Sequence, residues 1–132
     1  MSRKPIRRIA ILALGIFLVC TGTASAAGVT MITGEELKAL QDSKPIILDV
    51  RPTLSWTFSG SKIKGAVRED PSNVESWQQK YPRDSQIVLY CQTDVTSSGV
   101  ARKLAAAGFQ KIYVLKGGWS AWSEAHYPTE KK

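Results

Sequence analysis

The sequence predicts an α/β domain, a parallel sheet covered by helices on both faces. Three observations carry that reading. Nearly all-apolar runs recur at PIILDV, SQIVLY and KIYVL, residues 45–50, 85–90 and 111–115. Such runs read as strands buried on both faces. Capped, helix-like stretches alternate with them, as crossovers between parallel strands do. The length of 132 residues, with 43% apolar and 22% charged side chains, suits one compact domain.

Taken in order, TGEELKAL opens the first helix. Thr33 can cap it and Glu36 stands three residues on, a capping box, with Leu37 and Leu40 on one face. PIILDV is the first buried strand. Arg51 to Gly65, with its Pro, Ser, Gly and Lys, reads as a loop, and GAVR as a short strand. DPSNVESWQQKYP reads as a helix of about two turns, capped by Asp70 or Ser72 and stopped before Pro82. SQIVLY is the second clear strand. SSGVARKLAAAGF is a helix with Val100, Leu104 and Ala107 on one face and Gly108 at its end. KIYVL is a further strand, and GGWSAWSEAHYP a last helix ended by Pro128.

Residues 1–26 have another layout. Arg3, Lys4, Arg7 and Arg8 precede an apolar stretch from Ile9 to Val19, and Ala24-Ser25-Ala26 fits a cleavage site for small residues. That is the pattern of a secretory signal peptide. The expectation is therefore a leader at 1–26, a domain at 27–132, and export to a bacterial periplasm. An uncleaved anchor facing the periplasm is the alternative, although a spanning helix needs about 20 strongly apolar residues. Acylation at Cys20 is a weaker third option, because bulky Val19 precedes it.

The net charge of +7 is partly due to this segment. Without residues 1–26 the chain keeps 14 basic against 11 acidic residues, a net +3. No basic run with interleaved aromatics remains, so nucleic-acid binding is not expected. A mildly positive domain suits a small anionic substrate. Cys20 lies in the leader, which leaves Cys91 as the one thiol of the mature chain and precludes an internal disulfide.

Cys91 directly follows the strand IVLY and precedes a helix. Ligands in open α/β sheets bind beyond the carboxyl ends of the strands. A helix N-terminus offers free N–H groups and partial positive charge. Backbone N–H groups of Gln92, Thr93, Asp94, Val95, Thr96 and Ser97 can thus turn toward the sulfur. Such a cradle would favour the reactive thiolate and an anion above it. The plainer alternative is a buried, inert cysteine.

Several motifs resemble the rhodanese domain, the single-domain sulfurtransferase family. ILDVR resembles its first-strand motif, and SGSKIKGA a turn in which Lys62 stands where histidine is common. IVLYC resembles the strand leading to the catalytic cysteine, and GFQKIYVLKGGWSAW the closing strand, double glycine and helix. The resemblance spans roughly Thr33 to Pro128. It implies a rhodanese-like fold with a parallel sheet of about five strands. It also implies an enzyme with Cys91 as nucleophile and no cofactor or metal. Cys91 would take sulfur from a donor such as thiosulfate, then pass it from a persulfide to cyanide, a thiol or a protein thiol.

The loop departs from a common thiosulfate-type pattern. Gln92 stands where an arginine would grip a sulfonate, and Asp94 where glycine is usual. A carboxylate there would repel thiosulfate by about 3 kcal/mol per unit charge, at ~5 Å and an effective dielectric near 20. Weak use of thiosulfate is expected. Arg51, Lys116 and Trp119 are candidate rim residues. Arg51 also fits an internal ion pair with Asp49. Lys62, Lys64, Arg102 and Lys103 read as ordinary surface charges, and Gly117-Gly118 as a tight turn. One histidine, His126, far along the chain, supports neither a Cys–His pair nor a metal site. Two other functions compete. A phosphatase or arsenate reductase on this scaffold needs a longer loop ending in arginine, and no arginine lies between Cys91 and Arg102. A non-catalytic sulfur carrier or redox sensor fits the loss of the loop arginine and glycine.

Overall fold

The structure, a computed structural model, describes residues 28–132. The leader or anchor expected at 1–26 lies outside the described residues. Among those described, no helix is long and apolar enough to cross a membrane. The chain runs β1 (Val29–Ile32), α1 (Gly34–Leu40), β2 (Ile46–Asp49), α2 (Thr53–Phe58), β3 (Ser61–Ile63) and β4 (Val67–Arg68). It continues through α3 (Val74–Trp77), β5 (Gln86–Tyr90), α4 (Val95–Ala106), β6 (Lys111–Leu115), α5 (Gly118–Glu124) and β7 (Thr129–Lys131). Five strands form one sheet in the order β1-β6-β5-β2-β4, with every pairing parallel. β3 and β7 form a separate antiparallel pair.

The apolar strands sit centrally, β5 between β2 and β6, and alternate between two cores. Ile87, Leu89 and Cys91 join Leu48, Val50 and Val114 against Val74, Trp77, Val100 and Leu104 of α3 and α4. Val88 and Tyr90 join Ile47 and Leu115 against Leu37 of α1 and Trp122 of α5. The period of two thus sends the Cys91 side chain to the α4 face.

The Thr33 cap forms, its Oγ1 accepting from the Glu36 N–H at 3.1 Å. Gly108, at φ +97°, ends α4 as expected. Five readings need correction. The loop at 51–65 contains α2 and β3. α2 buries none of its residues, so no apolar periodicity announced it. It is held through Trp56, whose ring lies 5.3 Å from the Arg51 guanidinium and 5.2 Å from that of Arg68. The helix of about two turns expected before Pro82 is α3 followed by a 3-10 turn at Gln78–Lys80, but neither Asp70 nor Ser72 caps it. Asp70 there accepts from Ser72 N–H and Oγ in a local turn, in place of capping a helix. α4 starts two residues earlier than expected. α5 stops at Glu124, before His126 at φ 57°. Lys62 is not a free surface charge: it pairs with Glu130 of β7 at 3.4 Å and donates to the Ala66 carbonyl at 2.6 Å.

A buried ionic cluster ties β2 to its surroundings. Arg51, fully buried, donates through Nε and Nη2 to both Asp49 carboxylate oxygens at 2.7–3.1 Å, and through Nη2 to the Ser61 carbonyl at 2.9 Å. The Tyr90 hydroxyl donates to Asp49 at 2.5 Å and accepts from the Ile63 N–H at 3.1 Å. Burial, reinforced by the Asp49 carboxylate, pushes the Tyr90 phenol pKa upward and keeps its proton in place. Asp49→Asn would leave the Arg51 charge buried without a counter-ion. It should cost about 3–5 kcal/mol, read as a fall in the urea midpoint.

Candidate active site

Cys91 is 2% exposed and belongs to the α3/α4 core. Ser97, in the first turn of α4 and itself buried, faces it. The Ser97 N–H donates to Sγ at 3.4 Å, and its Oγ lies 3.3 Å from Sγ. Among the described residues, Ser97 supplies both hydrogen bonds to the sulfur. Its N–H is one of the first-turn donors that an α-helix leaves without an internal acceptor.

The carbonyls of the loop face the other way. Cys91 C=O accepts from the Trp119 N–H at 2.8 Å, and Gln92 C=O from the Ser120 N–H at 3.1 Å. The Ser120 hydroxyl also donates to Gln92 C=O at 3.0 Å and accepts from the Gln92 Nε2 at 3.0 Å. The Thr93 carbonyl crosses Gly118, where a Cβ would lie 2.0 Å from it and 2.4 Å from the Cys91 carbonyl. In a trans peptide the C=O of one residue and the N–H of the next point in opposite directions. The N–H groups of Gln92, Thr93 and Asp94 are therefore turned away from α5. Val95 and Thr96 supply the first N–H groups of α4, ahead of Ser97.

Asp94 does not cap α4 with its side chain. Its carboxylate instead accepts from the Gly117 N–H at 3.2 Å. The glycine pair therefore does more than the turn expected of it: Gly117 donates to Asp94, and Gly118 lets two loop carbonyls reach α5. That role was missed because the glycines and the cysteine loop lie far apart in sequence.

The three rim candidates fall in different places. Arg51 packs with Asp49 and Tyr90 on the α5 face, in the internal ion pair, while the Cys91 side chain is on the α4 face. Its Nη1 has no hydrogen-bond partner among the described residues, and its guanidinium carbon lies 4.7 Å from the Trp119 ring centre. Trp119 is half-buried and joins the two groups, its N–H on the Cys91 carbonyl and its ring on Arg51. Lys116 is exposed and lines a cleft of about 320 Å³ with Thr33, Glu35, Trp122 and Tyr127. Trp56 was not anticipated, since its segment read as a loop. His126 is exposed beyond the end of α5.

Comparison with known proteins adds to this geometry. The family described as rhodanese-like domain matches residues 33–125. Over 84 residues the chain is 30% identical to the thiosulfate sulfurtransferase GlpE of Coxiella burnetii, covering 64% of this chain and 76% of that protein. It is 26% identical over 102 residues to the GlpE of Glaesserella parasuis, covering 76% and 93%. A crystal structure of the Alr3790 protein from Anabaena sp. aligns with a TM-score of 0.66 at 29% identity, over 76% of this chain and 80% of that chain.

Gly118→Ala should force the loop carbonyls off α5. An accompanying φ of +52° is unfavourable for alanine as well. A stability loss of at least about 2 kcal/mol is expected, measured by thermal unfolding.

Proposed function

The chain belongs to the rhodanese-like domain family, and from that premise we propose that it is a sulfurtransferase working through a persulfide on Cys91. The observation that carries the reading is the position of Ser97, whose N–H and hydroxyl both meet Sγ at the start of α4. Donors fixed in advance stabilise charge on sulfur without reorganising during the reaction. Names of the GlpE relatives support a thiosulfate-type donor.

In the first step the Cys91 thiolate attacks the outer sulfur of thiosulfate. The S–S bond of thiosulfate breaks and sulfite leaves with its electron pair. In the second, an acceptor thiolate or cyanide attacks the terminal sulfur of the persulfide. The bond to Sγ breaks, and its electron pair restores the Cys91 thiolate. The cradle of N–H groups from Gln92 to Ser97 would hold the anionic persulfide between the steps. This reading extends to location on the leader-like residues 1–26 alone: an exported domain, periplasmic once cleaved and membrane-anchored if not.

Intact-mass analysis tests the chemistry. Thiosulfate should add one sulfur atom to the wild-type chain, cyanide should remove it, and Cys91→Ser should take up none. No uptake from thiosulfate, with uptake from a partner protein, would make the chain a carrier; turnover of an aryl phosphate would make it a phosphatase.

Asp94 limits the reaction with a dianion. Asp94→Asn keeps an acceptor for the Gly117 N–H and removes the charge. Its kcat/KM for thiosulfate should rise by about tenfold at low ionic strength, and the gain should shrink as salt screens the carboxylate. An unchanged kcat/KM would show that this carboxylate does not act on the donor. N-terminal sequencing of the exported protein should begin at Ala27, whereas a start at Met1 would contradict cleavage.

A further inference from the structure

We propose that the cleft between α1 and α5 binds a free α-amino acid with an apolar side chain, its carboxylate on Lys116 and its ammonium group on Glu35. This site is separate from Cys91 and does not depend on the sulfur-transfer reading. Paired strands β1 and β6 end together, Ile32 opposite Leu115, and the Lys116 N–H donates to the Ile32 carbonyl at 2.8 Å. α1 departs from β1 and α5 from β6, and the space between them is a cleft of about 320 Å³. Ligands of open α/β sheets gather at this carboxyl edge. The volume lies at the small end of the range for small-molecule sites, which suits a ligand of amino-acid size.

Apolar groups form the base. Leu115 and Trp122, both fully buried, stand beneath the cleft. The Tyr127 ring is fixed at its side. It packs at Gly34, where a Cβ would lie 2.7 Å from it, and meets Trp122 edge-on at 5.0 Å between ring centres. Ala121 of α5 and Ala125 just beyond it are exposed and too small to fill the space. The ligand's side chain would lie over these groups.

Two side chains of opposite charge complete the lining, Lys116 and Glu35, both exposed. Their neighbours are engaged elsewhere. The Glu36 carboxylate accepts from the Thr33 hydroxyl at 3.2 Å, and Lys38 Nζ lies 4.8 Å from the Tyr127 ring centre. Asp94 keeps its charge, but its carboxylate accepts from the Gly117 N–H and lies outside the lining. The ion pairs among the described residues, Arg51–Asp49, Lys62–Glu130, Arg68–Asp49 and Lys80–Glu69, include neither Lys116 nor Glu35. A cation and a carboxylate that share one cleft without pairing fit a ligand carrying both complementary charges. Over an apolar base such contacts are screened less than on an open surface.

The test follows amide NMR shifts of the full chain with three probes: leucine, leucinamide without the carboxylate, and N-acetylleucine without the ammonium group. Leucine should shift residues around 33–35 and 115–127 with a Kd of about 1 mM. Each of the other probes should bind about fivefold more weakly. Lys116→Gln should weaken leucine about fivefold and leave leucinamide no weaker, and Glu35→Gln should do the same for leucine and leave N-acetylleucine no weaker. Equal affinities for the three probes would overturn the proposal, as would leucinamide binding as tightly as leucine, the mark of a peptide N-terminus. No shift at about 20 mM leucine would overturn it as well. So would self-association of the wild type that Lys116→Gln abolishes, which would assign the cleft to a second copy of the chain.

Discussion

Two main-chain carbonyls, those of Cys91 and Gln92, are fixed by the N–H groups of Trp119 and Ser120, and the site depends on that pair of bonds. Planar trans peptides cannot offer both polar groups on one side. Once the carbonyls are committed to α5, the N–H groups of the following residues turn away from it. The loop then enters α4, whose first turn brings Ser97 onto the sulfur. Gly118 makes room for the loop, because any side chain there would occupy the space of the Cys91 and Thr93 carbonyl oxygens.

Alternation along the central strands divides the labour at the sheet edge. Odd-numbered residues of β5 lead to Cys91 and α4, while Tyr90 joins the buried Asp49–Arg51 pair on the other face. That pair is a positioning device. It commits the arginine of the strand end to Asp49 and Ser61, and supports Trp56 and Trp119 with its flat guanidinium. The cationic side chain best placed in sequence to grip a substrate is thus occupied elsewhere. In the proposed reading, recognition of an anion at Cys91 falls to main-chain donors, with Asp94 working against it.

Much of this was legible from residue order, for physical reasons. The strands at Ile46, Gln86 and Lys111 are buried on both faces, so their apolar runs stand out. The cysteine at a strand end before a helix pointed to the candidate site, and Thr33 and Gly108 marked helix ends by their own chemistry. What escaped notice has no burial signature. α2 buries nothing, β7 is the polar stretch Thr-Glu-Lys defined by its partner β3, and β1 follows directly on the leader-like segment. The tie from Gly117 and Gly118 to the cysteine loop is a contact across some two dozen residues. Local pattern carries no information about it.

The central claim is that main-chain donors around Cys91 hold sulfur as an anion. A crystal structure of the protein after reaction with thiosulfate tests it most directly. The account predicts an added sulfur on Sγ, within hydrogen-bond reach of N–H groups of residues 92–97. An unmodified Cys91, or an added sulfur directed into the apolar core between β5 and α4, would contradict it.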